Sequence, residues 1–135
     1  KSKTSSHDTT HDKTNAFIPS IYVRIAPENQ VTIYITKSEM GQGVWTSLPM
    51  LVAEELDLDW ATIQVEHAPL DPDFGNQYTG GSDSLSSAWQ PLRQAGAIAR
   101  EMLISAAAIR WQVPVSECRA ENGFIIHTPT GRQDN

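Results

Sequence analysis

Two short stretches of the chain have the residue types to hold an anionic ligand. The first is Glu39-Met40-Gly41-Gln42-Gly43-Val44-Trp45-Thr46, in which Gly41 and Gly43 flank Gln42. Glycines so placed let the backbone take positive φ and bring its N–H groups close to a ligand. Those amides would be free to meet a phosphate or a carboxylate. The second is Thr79-Gly80-Gly81-Ser82-Asp83-Ser84, two glycines and several hydroxyls just ahead of a helical pattern. The first N–H groups of a helix have no partners within it and carry partial positive charge, which suits a phosphate. Each stretch also has an ordinary explanation, since glycine turns reverse chains and Ser or Asp before a helix is commonly an N-cap. The pairing says more than either alone. Two glycine turns about forty residues apart, each opening a helix, can converge on one elongated ligand with several anionic groups.

The flanking segments supply the elements to position them. Ile21 to Ile25 is a β-type run, and Pro27-Glu28-Asn29-Gln30 separates it from Val31 to Thr36, where Val31, Ile33 and Ile35 alternate with polar or aromatic residues. These predict a hairpin. The apolar spacing from Leu48 to Leu56 predicts a helix over roughly Val44 to Leu56, with Thr46 as N-cap and Pro49 in its first turn. Thr62 to Val65 alternates again, giving a strand–helix–strand unit. A long loop with Pro69, Pro72, Gly75, Gly80 and Gly81 follows; loops of this length inside a compact domain are often functional. Ser84 to Trp111 carries helical spacing, with Gly96 and many alanines for close packing. Pro91 predicts a kink or a start near Ser87, and Pro114 the end. Cys118 to Arg132 reads as a small hairpin around Glu121-Asn122-Gly123. The fold class expected is an α/β (α+β) two-layer domain. Its mixed sheet has about four strands, with Phe124 to His127 among them, and both helices lie on one face. They are expected to bury Leu51, Val52, Leu56, Leu92, Met102 and Leu103.

The 135 residues suffice for one compact domain with a core. Residues 1–15 are polar without apolar period and read as a flexible leader, followed by a domain over 16–135. His7 and His11 have the spacing of helical metal ligands, but nothing makes that leader helical. A formal charge of −6 without a Lys/Arg cluster argues against nucleic acid. The lone Cys118 offers no zinc or iron–sulfur spacing, and no apolar run approaches the roughly 18 residues of a membrane span. Neither dinucleotide-binding glycine fingerprint nor P-loop is present.

The string Glu-Met-Gly-Gln-Gly, its Thr and Ala-Glu-Glu-Leu helix, and the Gly80-Gly81-Ser82-Asp83-Ser84 turn together resemble the molybdopterin-binding subunits of the xanthine dehydrogenase and aldehyde oxidase family. Within it, the isoquinoline 1-oxidoreductase β-subunit type is most similar, and membrane-bound aldehyde dehydrogenases belong with it. The similarity runs from Phe17 onward and includes Trp89 to Ala97 and Cys118 to Gly123. It implies that Met40, Gly41, Gln42, Gly43, Gly80, Gly81, Ser82, Asp83 and Ser84 contact a molybdopterin cofactor, in its cytosine dinucleotide form. It further implies hydroxylation of an aldehyde or N-heterocycle with oxygen from water. Electrons would pass to iron–sulfur clusters on a small partner subunit and onward, for instance to a cytochrome c.

The family's second glycine loop and its glutamate base have no counterpart here, and Glu54 and Glu55 read as a solvated pair on a helix. No catalytic residue and no direct metal ligand is assigned. The chain is therefore expected to be one piece of a larger subunit, inactive alone, with the remainder of that subunit as partner and a bacterial periplasmic or membrane-associated setting. A piece of this kind should show an apolar patch, expected around Val44, Trp45 and the 67–81 loop, and hide it by dimerising or by binding the complementary chain. The alternative class is a non-catalytic interaction or assembly module anchored by Trp45, Trp60, Trp89 and Trp111.

Overall fold

The computed structural model describes residues 16–135, and the polar leader with His7 and His11 lies outside them. Four strands form the main sheet in sequential order: β1 (Phe17–Ser20), β2 (Val23–Ile25), β3 (Val31–Ile35) and β4 (Ile63–His67). The pairs β1–β2 and β2–β3 are antiparallel, whereas β4 runs parallel to β3 in the register Val31↔Ile63 to Ile35↔His67. A parallel neighbour needs a crossover, and helix α1 (Val44–Leu56) supplies it. Helix α2 (Ser84–Trp111) packs beside α1, and both deliver side chains to one cluster. That cluster joins Val23, Val31, Ile33 and Ile35 of the sheet to Val44, Leu48, Val52 and Leu56 of α1 and Leu92, Ala95 and Ala99 of α2. The layers are sheet against helices, as the periodicity predicts.

The fourth strand of that sheet is β1, not the segment around Phe124. β5 (Cys118–Glu121), β6 (Phe124–His127) and β7 (Arg132–Asp134) instead form a separate three-stranded antiparallel sheet. Its buried His127 bonds Glu117 Oε2 through Nε2 and Thr130 Oγ1 through Nδ1, at 2.9 and 2.7 Å. β1 carries Pro19 and an irregular register between Phe17 and Ser20, which hides its strand pattern in the sequence.

The helix bounds match the expected ones; the details of their starts do not. α1 begins on Gly43 as N-cap, in a left-handed conformation, so Thr46 lies inside the helix and does not cap it. Pro49 then falls in the second turn and is fully buried. α2 begins at Ser84, ahead of Pro91, and the Ser87 amide already bonds Asp83 O at 2.8 Å. Gly96 sits where the helices touch: a Cβ there would lie 2.8 Å from both Val52 O and Glu55 Cβ. Val52, Leu56 and Leu92 are buried and Leu51 and Leu103 half-buried, but Met102 is 43% exposed.

The apolar surface lies only partly where it is expected. Val44 is in the core and Trp45 is half-buried, while Leu70 and Tyr78 of the loop are exposed. The longer run is on α2, where Ile98, Met102 and Ile109 are exposed; the last two line an open groove with Phe17 and Ile25.

Candidate functional site

Because β3 and β4 are parallel, their carboxyl ends lie on one edge, where ligands of open α/β sheets commonly bind. The first glycine turn leaves β3 from that edge. The loop carrying the second leaves β4 from the same edge. Gly41 and Gly43 have φ of 90° and 82°, and a Cβ at either would meet nothing within 4 Å. They are glycines for their backbone conformation, not for want of space. In the second turn Gly81 and Ser82 are consecutive left-handed residues with φ of 66° and 58°. At Gly80 a Cβ would meet only the ring of Tyr78, an exposed side chain that can swing aside.

The turns are joined through Lys37 and Ser38. The Ser38 amide donates to Thr79 Oγ1 at 2.8 Å, and its carbonyl accepts from Gln42 Nε2 at 2.8 Å, so one residue bonds to both turns. Lys37 is 2% exposed, and its Nζ donates to Tyr78 O at 2.7 Å and Asn76 O at 3.3 Å. Asp83 Oδ1 lies 4.0 Å from the same Nζ. Asp83 is the N-cap residue of α2 by position, yet its side chain makes no capping bond, and Oδ1 is buried without a hydrogen-bond partner. The ordinary reason for an Asp there does not apply. A cavity of about 250 Å³ opens beside Lys37, lined also by Tyr22, Thr36, Phe74, Asn76 and Ser87. Burial pushes the Tyr22 phenol above its usual range.

The expectation that the first turn's amides are free is overturned. Glu39 Oε1 accepts from the Gly41 and Gly43 amides at 2.7 and 3.0 Å, and Oε2 from the Trp45 amide at 3.1 Å. Hydrogen bonds from the Gly43 and Trp45 amides, joined by those of Gly41 and Gln42, hold its carboxyl below the ordinary glutamate range. Trp45 is drawn in by its indole, which donates to Lys37 O at 3.0 Å. Glu55 is not simply solvated: it pairs with Arg93 and ties α1 to α2. Met40 is exposed and Gly80 to Ser84 line the start of α2.

Lys37, Ser38, Glu39 and Thr79 are the residues that sequence reasoning missed as a group. One signal was available for Lys37. The inward alternation of Val31, Ile33 and Ile35 continues to position 37, where a lysine must find polar partners. Among the described residues no group of three or more His, Cys, Asp or Glu converges to hold a metal ion. No helix among them is long and apolar enough to cross a membrane.

Residues 2–134 match the molybdopterin cofactor-binding domain, and the chain belongs to that family. It is 37% identical over 124 residues to isoquinoline 1-oxidoreductase subunit beta of Brevundimonas diminuta, covering 87% of this chain and 16% of that protein. It is 38% identical over 110 residues to membrane-bound aldehyde dehydrogenase (pyrroloquinoline-quinone) of Gluconacetobacter polyoxogenes, covering 82% of this chain and 14% of that one. The chain thus spans about one-seventh of the length of these curated relatives. Its fold is similar to part of quinoline 2-oxidoreductase from Pseudomonas putida 86, with a TM-score of 0.61 at 20% identity over 78% of this chain and 13% of that one. The family implied by the two glycine turns is the one these matches show.

Proposed function

We propose that the chain forms part of the cofactor site of a molybdenum hydroxylase that oxidises aldehydes or N-heterocycles with oxygen from water. The observation that carries this reading is the meeting of the two glycine turns through Ser38, at the carboxyl edge of β3 and β4, in a molybdopterin-binding domain. Met40 to Gly43 and Gly80 to Ser84 would hold the cofactor, in its cytosine dinucleotide form. The fit is uneven. The second turn has left-handed backbone at Gly81 and Ser82 and the start of a long helix, which suit a phosphate, whereas the first has its amides filled by Glu39. The bound cofactor supplies the metal centre for oxygen transfer and electron acceptance. This chain's residues bind and orient it.

The remainder of the large subunit would bring the substrate pocket and the base. An iron–sulfur subunit and a cytochrome c would carry electrons away, in a periplasmic or membrane-associated bacterial assembly. The isolated chain then shows no oxidation of an aldehyde or N-heterocycle with an acceptor dye. Made in cells that synthesise the molybdenum cofactor, the purified chain should release a fluorescent pterin on oxidation and CMP on acid hydrolysis. Gln42→Ala combined with Gly81→Val should abolish both. A chain that carries pyrroloquinoline quinone, the cofactor in one relative's name, or that keeps its pterin in the double variant, refutes the reading. The exposed Ile98, Met102 and Ile109 favour the alternative of a non-catalytic assembly module, and stable capture of a partner by a pterin-free chain would support it.

A further inference from the structure

The first glycine turn already holds an anion, and that anion is its own. The Glu39 carboxylate takes the amides of Gly41, Gly43 and Trp45, with bonds of 2.7 to 3.1 Å. Among the described residues no ion pair reaches it, so backbone dipoles alone satisfy the charge. Gln42 closes the same turn, its Oε1 accepting from the Met40 amide and its Nε2 donating to Ser38 O. A carboxamide has two N–H donors and two acceptor lone pairs, so one of each remains on the exposed Gln42 side chain.

We propose that Glu39 is a resident anion that shuts the first turn's amides to phosphate. The inference deepens the cofactor reading and rests on it. A free phosphate competes poorly because the carboxylate is tethered two residues from Gly41 and its bonds to backbone N–H groups are charge-assisted. To enter, the phosphate must either expel Glu39 or bring like charges together. Lys37 does not pair with the Glu39 carboxylate; its Nζ bonds Asn76 and Tyr78 in the second turn's loop.

Backbone amide NMR of the 135-residue chain tests this with inorganic pyrophosphate as the probe. In the unsubstituted chain the Gly41, Gly43 and Trp45 amides should not respond, and in Glu39→Ala they should show saturable shifts. An acid titration of the unsubstituted chain should move the same three amides together, with one midpoint below the ordinary glutamate range. Equal responses to pyrophosphate in both chains, or none in a folded Glu39→Ala, overturn the proposal. So do three amides that fail to share that acid midpoint, a result that stands even where Glu39→Ala does not fold. Neither measurement uses a pterin, so a chain that never binds one would sink the cofactor reading and leave these outcomes intact.

Discussion

Replacing Lys37 by Met separates the two things this residue does. The stem fills the end of the core, being 2% exposed, and methionine keeps most of that volume. The Nζ donates to Tyr78 O at 2.7 Å and to Asn76 O at 3.3 Å, and methionine keeps neither bond. Hydrogen bonds to charged groups contribute about 1.5–3 kcal/mol each, and the longer bond here belongs at or below the bottom of that range. The partner residues are exposed, so water can take over their carbonyls once the loop lifts. The loss therefore falls on the docking of the loop, not on the whole fold. At about 1.4 kcal/mol per tenfold, 1.5–3 kcal/mol corresponds to a rise of roughly ten- to hundredfold in the opening of residues 76–83. Global stability should change much less, because removing a buried lysine also removes its desolvation cost. Native-state hydrogen exchange reads the first effect and denaturant unfolding the second. Faster exchange at the Tyr78 and Ser38 amides, with a nearly unchanged unfolding midpoint, is the expected pair. A large loss of global stability without faster exchange in the loop would refute the clamp and leave Lys37 a core-filling residue.

Three further outcomes follow from the same geometry. Gly96→Ala should lower the melting temperature despite alanine's helix propensity: overpacking against Val52 O costs about 1–3 kcal/mol against a gain of about 1. Thr79→Val removes the acceptor of the Ser38 amide and should cost about 0.5–1 kcal/mol, read by denaturant unfolding, with faster exchange at Ser38. For Glu39 the folded pKa is depressed, so its contribution is present above the ordinary glutamate range and is lost as pH falls through the folded value. Glu39→Gln should remove that part of the acid dependence, measured as protection of the Trp45 amide against pH.

Both helices were legible because their signals are local. The spacing of Leu48, Val52 and Leu56, or of Leu92, Ala95 and Ala99, repeats within a few turns, and the structure returns the same bounds, 44–56 and 84–111. Sheet membership depends on pairing at a distance, and there the reading failed for one strand. Phe124 to His127 has a clear strand pattern but nothing in it says which sheet it joins, whereas Phe17 to Ser20 has the place and lacks the pattern. Met102 fits the helical period of α2 and is still exposed, because its turn of the helix lines the groove beside Phe17 instead of facing α1.

The site divides in the same way. Its glycines were visible because positive φ restricts the residue type at a single position, as at Gly43 and Gly81. The polar residues that join the turns were not, since Lys37 meets Tyr78 and Ser38 meets Thr79 across 41 positions of chain. What fills the first turn comes from next door and was concealed differently. Glu39 reads as one more charged residue in a polar turn until its two oxygens are seen to cover three amides. The end of β3 thus builds the site in both directions: Lys37 reaches across to hold the second turn, and Glu39 folds back to close the first. Glycines give each turn its shape, and in the first turn the acid beside them fills the amides.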